Sequence, residues 1–263
     1  MKNLLVNRWL ESGLKKNDDI LLHSSFKRTF VELKSKNYLI TPKNILESFL
    51  EICSTEGTLI IPTFNFDFND GIDYNYFTTK SQMGQVSEEA RNHPLAIRTL
   101  NPVYSFAVFG KKANLFRDID NESWYSKTSP FNFIHKFNFK ICIIDLNDRN
   151  SMTFAHYCEE YFQVKWRYYK YFTGNYTNKY NLLEKKIYKG YVKKIDEGVE
   201  TTLNPAGELL WEKKLYKGNR PFIKNGLRYV RSKDYFNLFK ELFHKDKCRP
   251  YYYDIKLNNI RDF

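Results

Sequence analysis

No two of the four cysteines stand at a metal-ligand spacing. Cys53, Cys142, Cys158 and Cys248 are scattered along 263 residues, which points to neither a zinc centre nor a disulfide framework. No apolar run approaches the roughly 20 residues of a membrane span. The opening Met1-Lys2-Asn3-Leu4-Leu5-Val6-Asn7-Arg8 turns polar too soon for a secretory signal. The expectation is a soluble protein of the reducing cytoplasm, with free thiols and no membrane partner. The phosphate-loop pattern Gly-x-x-x-x-Gly-Lys-Ser/Thr and the dinucleotide pattern Gly-x-Gly-x-x-Gly are both missing. A basic tail and an RNA-recognition aromatic motif are missing too, so no nucleic-acid partner is expected. There is no internal repeat, Gly/Ser linker or low-complexity segment, and residues 1–263 read as one domain.

What is present is charge and aromatic bulk. Lys and Arg number 42 against 30 Asp and Glu, a formal net charge of +12. Such a surface attracts anions. At 42% hydrophobic and 17% aromatic residues, the chain can bury a substantial core.

The pattern along the chain predicts an α/β fold. A helix is expected from Asn3 to Gly13, with Gly13 as its stop. Asp19 to His23 reads as a buried strand. Thr41 can cap a helix whose first turn suits Pro42 and which runs to Cys53. Gly57 to Phe64 reads as the next strand, and this strand–helix–strand opening suggests a parallel sheet. Further expected elements are a short helix over Gln85–Asn92, strands at Ser105–Gly110 and Ile141–Leu146, and a helix from Ser151 to about Lys165. From Lys185 to about Ser232 short alternating stretches suggest a smaller antiparallel subregion. Leu227–Val230 is a strand there, and Asp234–Phe243 is an amphipathic helix. Tyr251-Tyr252-Tyr253 is expected to pack. The architecture implied is three-layer α/β/α around a mixed, largely parallel sheet.

Five histidines are candidates for chemistry. His93 and His135 read as solvent-facing, and His244 as a charge at a helix C-terminus. His23 ends a buried strand. His156 differs from these, because on a helix Thr153, His156, Glu159 and Glu160 share one face. That gives an imidazole with a hydroxyl below and carboxylates above, the arrangement a general base requires. An ordinary polar helix face would show the same spacing. Cys158, beside them, is an alternative nucleophile, while Cys142 in Ile141–Ile144 reads as a buried structural thiol. His23-Ser24-Ser25 follows a strand and precedes Lys27-Arg28. Hydroxyls and backbone N–H groups at such a strand end can hold a phosphorylated ligand, or simply cap a turn.

Several segments resemble one family in the right order. They are His23-Ser24-Ser25-Phe26, Gly57 through Phe64, Met83-Gly84-Gln85-Val86-Ser87-Glu88-Glu89-Ala90-Arg91 running on to Arg98-Thr99-Leu100-Asn101-Pro102-Val103-Tyr104-Ser105-Phe106, and Thr153-Phe154-Ala155-His156-Tyr157-Cys158-Glu159. Ser129-Pro130 and Gly226-Leu227-Arg228-Tyr229 also fit. Together they resemble the aminoglycoside N(3)-acetyltransferase family over nearly the whole chain. The resemblance implies an α/β/α enzyme that binds acyl-coenzyme A and acylates an amine directly, with no acyl-enzyme and no metal. It implies His156 as general base and Glu159 as its orienting group; Thr153 and backbone N–H groups are alternative donors to the developing oxyanion. It places His23, Ser24, Ser25, Lys27, Arg28, Thr63 and Phe64 along coenzyme A. Glu88, Arg98, Asn101 and Tyr104 fall near the acceptor. Two departures stand out: many members carry His at one or both of the positions of Asn101 and Tyr104, and Asp145-Leu146 replaces a Gly-containing strand end.

Charge then decides the expected acceptor. An aminoglycoside is a polycation and calls for carboxylates, against the +12 background. The expectation is therefore an anionic, nucleotide-linked aminodeoxy sugar, acylated for surface polysaccharide biosynthesis. The alternatives are aminoglycoside 3-N-acetylation and a non-catalytic relative that binds coenzyme A or a sugar nucleotide. A homodimer is left open.

Overall fold

Thr41 and Asn44 start the structure's best-defined helix. The Thr41 hydroxyl accepts from the Asn44 backbone N–H at 3.2 Å, and the Asn44 side chain accepts from the Thr41 N–H at 3.0 Å. This reciprocal cap satisfies two N–H groups that helix geometry leaves unpaired. Behind it Ile45, Leu46, Phe49 and Ile52 recur at helical spacing and are fully buried. The structure is a computed structural model and describes residues 2–197, 199–201, 203–244 and 253–255. Cys248, Tyr251 and Tyr252 lie outside these.

The helices are α1 (Lys2–Leu10), α2 (Lys27–Ser35), α3 (Pro42–Cys53), α4 (Gln85–Asn92), α5 (Pro130–Lys136), α6 (Phe154–Phe162), α7 (Asn204–Glu212) and α8 (Ser232–His244). The strands are β1 (Asp19–Ser24), β2 (Thr58–Pro62), β3 (Tyr74–Asn75), β4 (Ile97–Arg98), β5 (Phe106–Gly110), β6 (Lys140–Ile144), β7 (Arg167–Thr177), β8 (Leu183–Lys193), β9 (Val199–Thr201), β10 (Lys217–Gly218), β11 (Leu227–Arg231) and β12 (Tyr253–Ile255). A seven-stranded sheet runs in the order β10-β11-β6-β1-β2-β5-β4. Its three central strands, β6-β1-β2, are parallel, and antiparallel strands flank them on both sides.

Side chains on successive residues of these strands point to opposite faces, and both faces are dry. Leu21, Ile60, Val108, Ile141, Ile143 and Val230 join one apolar layer, with α5, α6 and α8 above them. Ile20, Leu22, Leu59, Ile61, Cys142 and Ile144 join the other, against α1 and α3. This is the expected three-layer α/β/α architecture.

The smaller antiparallel unit is a long hairpin, β7–β8, paired from Arg167↔Lys193 to Thr177↔Leu183, with β3 added beside β7. It begins well before the expected Lys185. Leu227–Arg231 belongs to the central sheet instead, paired with β6. Cys53, Cys142 and Cys158 are free and buried. Among the described residues no helix is long and apolar enough to cross a membrane.

Candidate active site

His156 occupies the first turn of α6, reached from β6 by the connection 145–153. Asp148 anchors that connection: it accepts from Arg228 Nη2 at 3.1 Å and from the Tyr216 hydroxyl. The helix dipole at an N-terminal turn disfavours a positive charge on His156. Burial and the nearby Arg167 guanidinium act in the same direction, and its pKa lies below the usual imidazole value despite the opposing pull of Glu159. The ring is a neutral base at pH 7.

Glu159 fixes its orientation. Glu159 is fully buried, and Nδ1 of His156 donates to its Oε2 at 2.7 Å. The Trp166 indole N–H donates to Oε1 at 3.0 Å, and Arg167 Nε lies 2.7 Å from Oε2. Burial alone would push this carboxyl up, but the Arg167 charge and the His156 hydrogen bond outweigh it and hold it at about 2. Arg167 Nη2 also stands 3.0 Å from His156 Nδ1. A guanidinium only donates and a carboxylate only accepts, so the two compete for Nδ1, and the shorter contact to Glu159 keeps the proton on that nitrogen. The proton on Nδ1 makes Nε2 the lone-pair nitrogen.

His156 lines a cleft of about 350 Å³ with Tyr104, Trp124, Tyr125, Arg149, Asn150, Arg167, Tyr191 and Lys193 among its walls. The Tyr125 ring packs on it with centroids 5.3 Å apart. A second cleft, about 650 Å³, lies between Ser24-Ser25-Phe26-Lys27 at the end of β1 and Gln82-Met83-Gly84-Gln85 at the start of α4. Both involve the carboxyl ends of the parallel strands, where open α/β sheets place ligands. Among the described residues no group of three or more His, Cys, Asp or Glu is placed to hold a metal ion.

The structure sorts the remaining candidates. Ser24, Ser25 and Lys27 line the larger cleft. Arg28 does not: its Nε and Nη2 each donate to Asp145 at 2.9 Å. Asp145 holds a left-handed φ of +49° at the end of β6, where glycine is ordinarily the unstrained residue. Here that strained turn presents the carboxylate to Arg28. His23 is buried and its Nε2 has no partner, and burial lowers its pKa to about 4. Thr63 and Phe64 lie in the core, Thr63 bonded to the Ser105 hydroxyl at 2.9 Å and Phe64 edge-on to Phe106 at 5.2 Å. Neither is among the residues lining the two clefts.

Of the four residues expected near the acceptor, Tyr104 alone lines the His156 cleft. Glu88 takes two hydrogen bonds from Arg91, at 2.9 and 2.7 Å. Arg98 is buried over the Tyr74 ring and donates to the Tyr76 carbonyl at 2.5 Å. Asn101 is fully buried and accepts from the backbone N–H groups of Val103 and Tyr104. Thr153 precedes α6 and its side chain caps nothing. Glu160 accepts from the Ser123 hydroxyl at 2.7 Å and lines a separate cleft with Tyr125. His135 and His93 are both partly buried, His135 stacked on Phe236 at 4.0 Å and His93 edge-on to Phe109 at 5.3 Å. Cys158 is fully buried, and burial pushes its thiol well above the usual range, which removes it as a nucleophile. Sequence reasoning missed Arg167, Trp166 and Tyr125. Lys165-Trp166-Arg167 directly follows the helix, and that was the only local signal.

Comparison with known proteins gives the class. The sequence profile of the aminoglycoside 3-N-acetyltransferase family matches residues 21–244. That family is one of acetyltransferases. The chain belongs to the aminoglycoside 3-N-acetyltransferase family. It is 26% identical over 125 residues to the SPbeta prophage-derived aminoglycoside N(3')-acetyltransferase-like protein YokD of Bacillus subtilis (strain 168), a match covering 39% of this chain. The match spans less than half of that relative, 43% of its length. The YokD crystal structure superposes with a TM-score of 0.74 at 18% identity, covering 92% of this chain and 98% of that one. AAC-IIIb with CoASH gives 0.77 at 14% identity, covering 94% and 97%. AAC(3)-IVa in complex with apramycin gives 0.70 at 22% identity, covering 93% and 92%.

The expected nucleotide-linked acceptor and its role in surface polysaccharide are overturned by these matches, which are to aminoglycoside acetyltransferases. The charge argument failed because net charge is a sum over the whole surface. Lys16 pairs with Glu51, Lys36 with Glu32, Lys111 with Glu56 and Lys186 with Asp120, none of them lining the His156 cleft. Screening over about 10 Å confines such charges to their own neighbourhood.

Proposed function

We propose that the protein transfers the acetyl group of acetyl-CoA to a ring amine of an aminoglycoside, with His156 as the general base. The observation that carries this reading is the 2.7 Å hydrogen bond from His156 Nδ1 to the fully buried Glu159, on an imidazole that lines a cleft. The free Nε2 takes the proton of the amine as its nitrogen attacks the thioester carbonyl. The C–N bond forms, the tetrahedral intermediate collapses with cleavage of the C–S bond, and the protonated Nε2 passes its proton to the departing sulfur, so that coenzyme A leaves as its thiol and the base is restored. General-base help of this kind is worth ~10²–10⁴-fold. Binding both substrates side by side supplies much of the remaining acceleration.

Arg149, Arg167 and Lys193 surround the base. Their charge disfavours a bound ammonium relative to the free amine, which is the nucleophile. A further cleft of about 450 Å³ shares Tyr125 and carries Glu122 and Glu160 alongside Lys127 and Lys189, with Glu122 3.3 Å from Lys189. Those carboxylates offer partners for the other ammonium groups of the acceptor. On the donor side, Ser24, Ser25 and Lys27 suit coenzyme A: hydroxyls for its polar arm and an ammonium for its phosphates.

The test is release of free thiol from acetyl-CoA when apramycin, gentamicin or sisomicin is added, with the product checked by mass for one added acetyl group. Coenzyme A binding without thiol release for any of the three would defeat the catalytic reading.

A further inference from the structure

We propose that Tyr104 is a catalytic hydrogen-bond donor whose hydroxyl faces the thioester carbonyl oxygen as that oxygen takes up negative charge. This rests on the acetyl-transfer reading above. Attack of the amine turns a neutral carbonyl into an oxyanion, and the cleft must supply a donor for it. Thr153 was the sequence-level candidate, yet it is not among the residues lining the cleft. Tyr104 and Tyr125 both are.

The two tyrosines form a chain that starts at the base. The Tyr125 ring lies 5.3 Å from the His156 ring, and the Tyr104 ring 4.8 Å from Tyr125. Tyr104 is the outer member of this chain, since Tyr125 is the ring in contact with His156. Burial raises both phenols above their usual range, so both are protonated and able to donate at neutral pH. Tyr104 keeps its proton throughout; only a hydrogen bond forms and dissolves.

The hydroxyl is also held in place, as an oxyanion donor must be. Phe64 packs edge-on to the Tyr104 ring at 4.8 Å, Phe66 at 5.8 Å, and Trp124 lies at 5.4 Å. Below the ring, Asn101 Oδ1 accepts from the Tyr104 N–H at 2.9 Å and from the Val103 N–H at 3.0 Å. Asn101, fully buried, is thus a positioning residue and not an acceptor ligand.

The experiment compares Tyr104→Phe with the unaltered enzyme in the thiol-release assay. Phenylalanine keeps the ring in its aromatic cage, and an unchanged melting temperature confirms that. The expected result is a kcat lower by about a hundredfold, with KM unchanged for acetyl-CoA and for the aminoglycoside. The acid limb of the pH–rate profile should stay where it is, since His156 is untouched. An unchanged kcat would overturn the proposal. So would a raised aminoglycoside KM with kcat retained, because Tyr104 would then recognise the acceptor. If the unaltered enzyme acetylates none of the three aminoglycosides, the underlying reading fails. Full activity in both proteins removes Tyr104 alone.

Discussion

Arg167 closes on Glu159 across the turn that joins α6 to the hairpin, Nε to Oε2 at 2.7 Å. The pair ties the central helix layer to the smaller β unit and sets the charge next to His156. Burial and Arg167 both lower the His156 pKa, while Glu159 raises it. The acid limb of kcat/KM should therefore lie below the ordinary imidazole value of about 6.5. Replacing Arg167 with Gln removes a positive neighbour and leaves Glu159 in place. The imidazole then protonates more readily, and the limb should move to higher pH. A pH–rate profile for Arg167→Gln with the limb unmoved, or moved down, would refute this electrostatic account.

Glu159→Gln attacks the same pair from the other side. The glutamine keeps the size of the side chain but strands the Arg167 charge in a buried setting. Breaking a buried ion pair at one partner costs about 3–5 kcal/mol, so a clear drop in unfolding free energy is expected in urea. Acid stability should change as well. The Glu159 carboxyl is held at about 2, well below the usual glutamate value of about 4.5. A depressed carboxyl contributes stability that is present above the unfolded pKa and lost as pH falls through the folded one. The unaltered protein should therefore lose part of its stability between about pH 4.5 and 2, and the variant should lose less over that window.

The core elements were legible because their signals are local. The twelve residues of α3 were bounded by Thr41-Pro42 at one end and fell where expected, and β1, β2, β5 and β6 are continuous apolar runs between polar turns. His156 and Glu159 were legible because a spacing of three on a helix puts side chains together. Other parts depend on partners distant in sequence. Helix α2 begins with Lys27-Arg28-Thr29, lacks a side-chain cap and buries only Thr29 and Leu33 along its length. The hairpin's first strand alternates weakly, because one face packs Phe172 and Tyr176 on Trp124 and Tyr74 while the other stays open. Arg167 reaches the site only through that pairing, and Tyr125 only through the fold of the 121–129 connection. Net charge misled because a sum over the surface does not specify the ligand of one site, even where the cleft's own Arg149, Arg167 and Lys193 share its sign.

His156→Asn removes the base and little else. The side chain is 27% exposed and its one short hydrogen bond is to Glu159, so the fold should persist. Turnover should fall by at least about a hundredfold, with acetyl-CoA affinity by calorimetry nearly unchanged. A variant that turns over at close to the normal rate would take His156 out of the mechanism.

Gly190 lies on β8 beneath Trp124, and its role is to have no side chain. A Cβ there would stand 2.2 Å from the Trp124 ring, with two further ring atoms within 2.5 Å. The ring cannot simply slide away, because it stacks on Phe172 at 5.0 Å and packs on Tyr104 at 5.4 Å. Gly190 does not have the positive φ that would strain an alanine backbone, so steric overlap is the whole effect. Gly190→Ala should cost about 1–3 kcal/mol by overpacking, read as a lower urea midpoint at unchanged slope. Because the displaced ring walls the His156 cleft, turnover should fall along with stability. A Gly190→Ala protein with normal stability and normal rate would mean that the hairpin does not press on Trp124 as described.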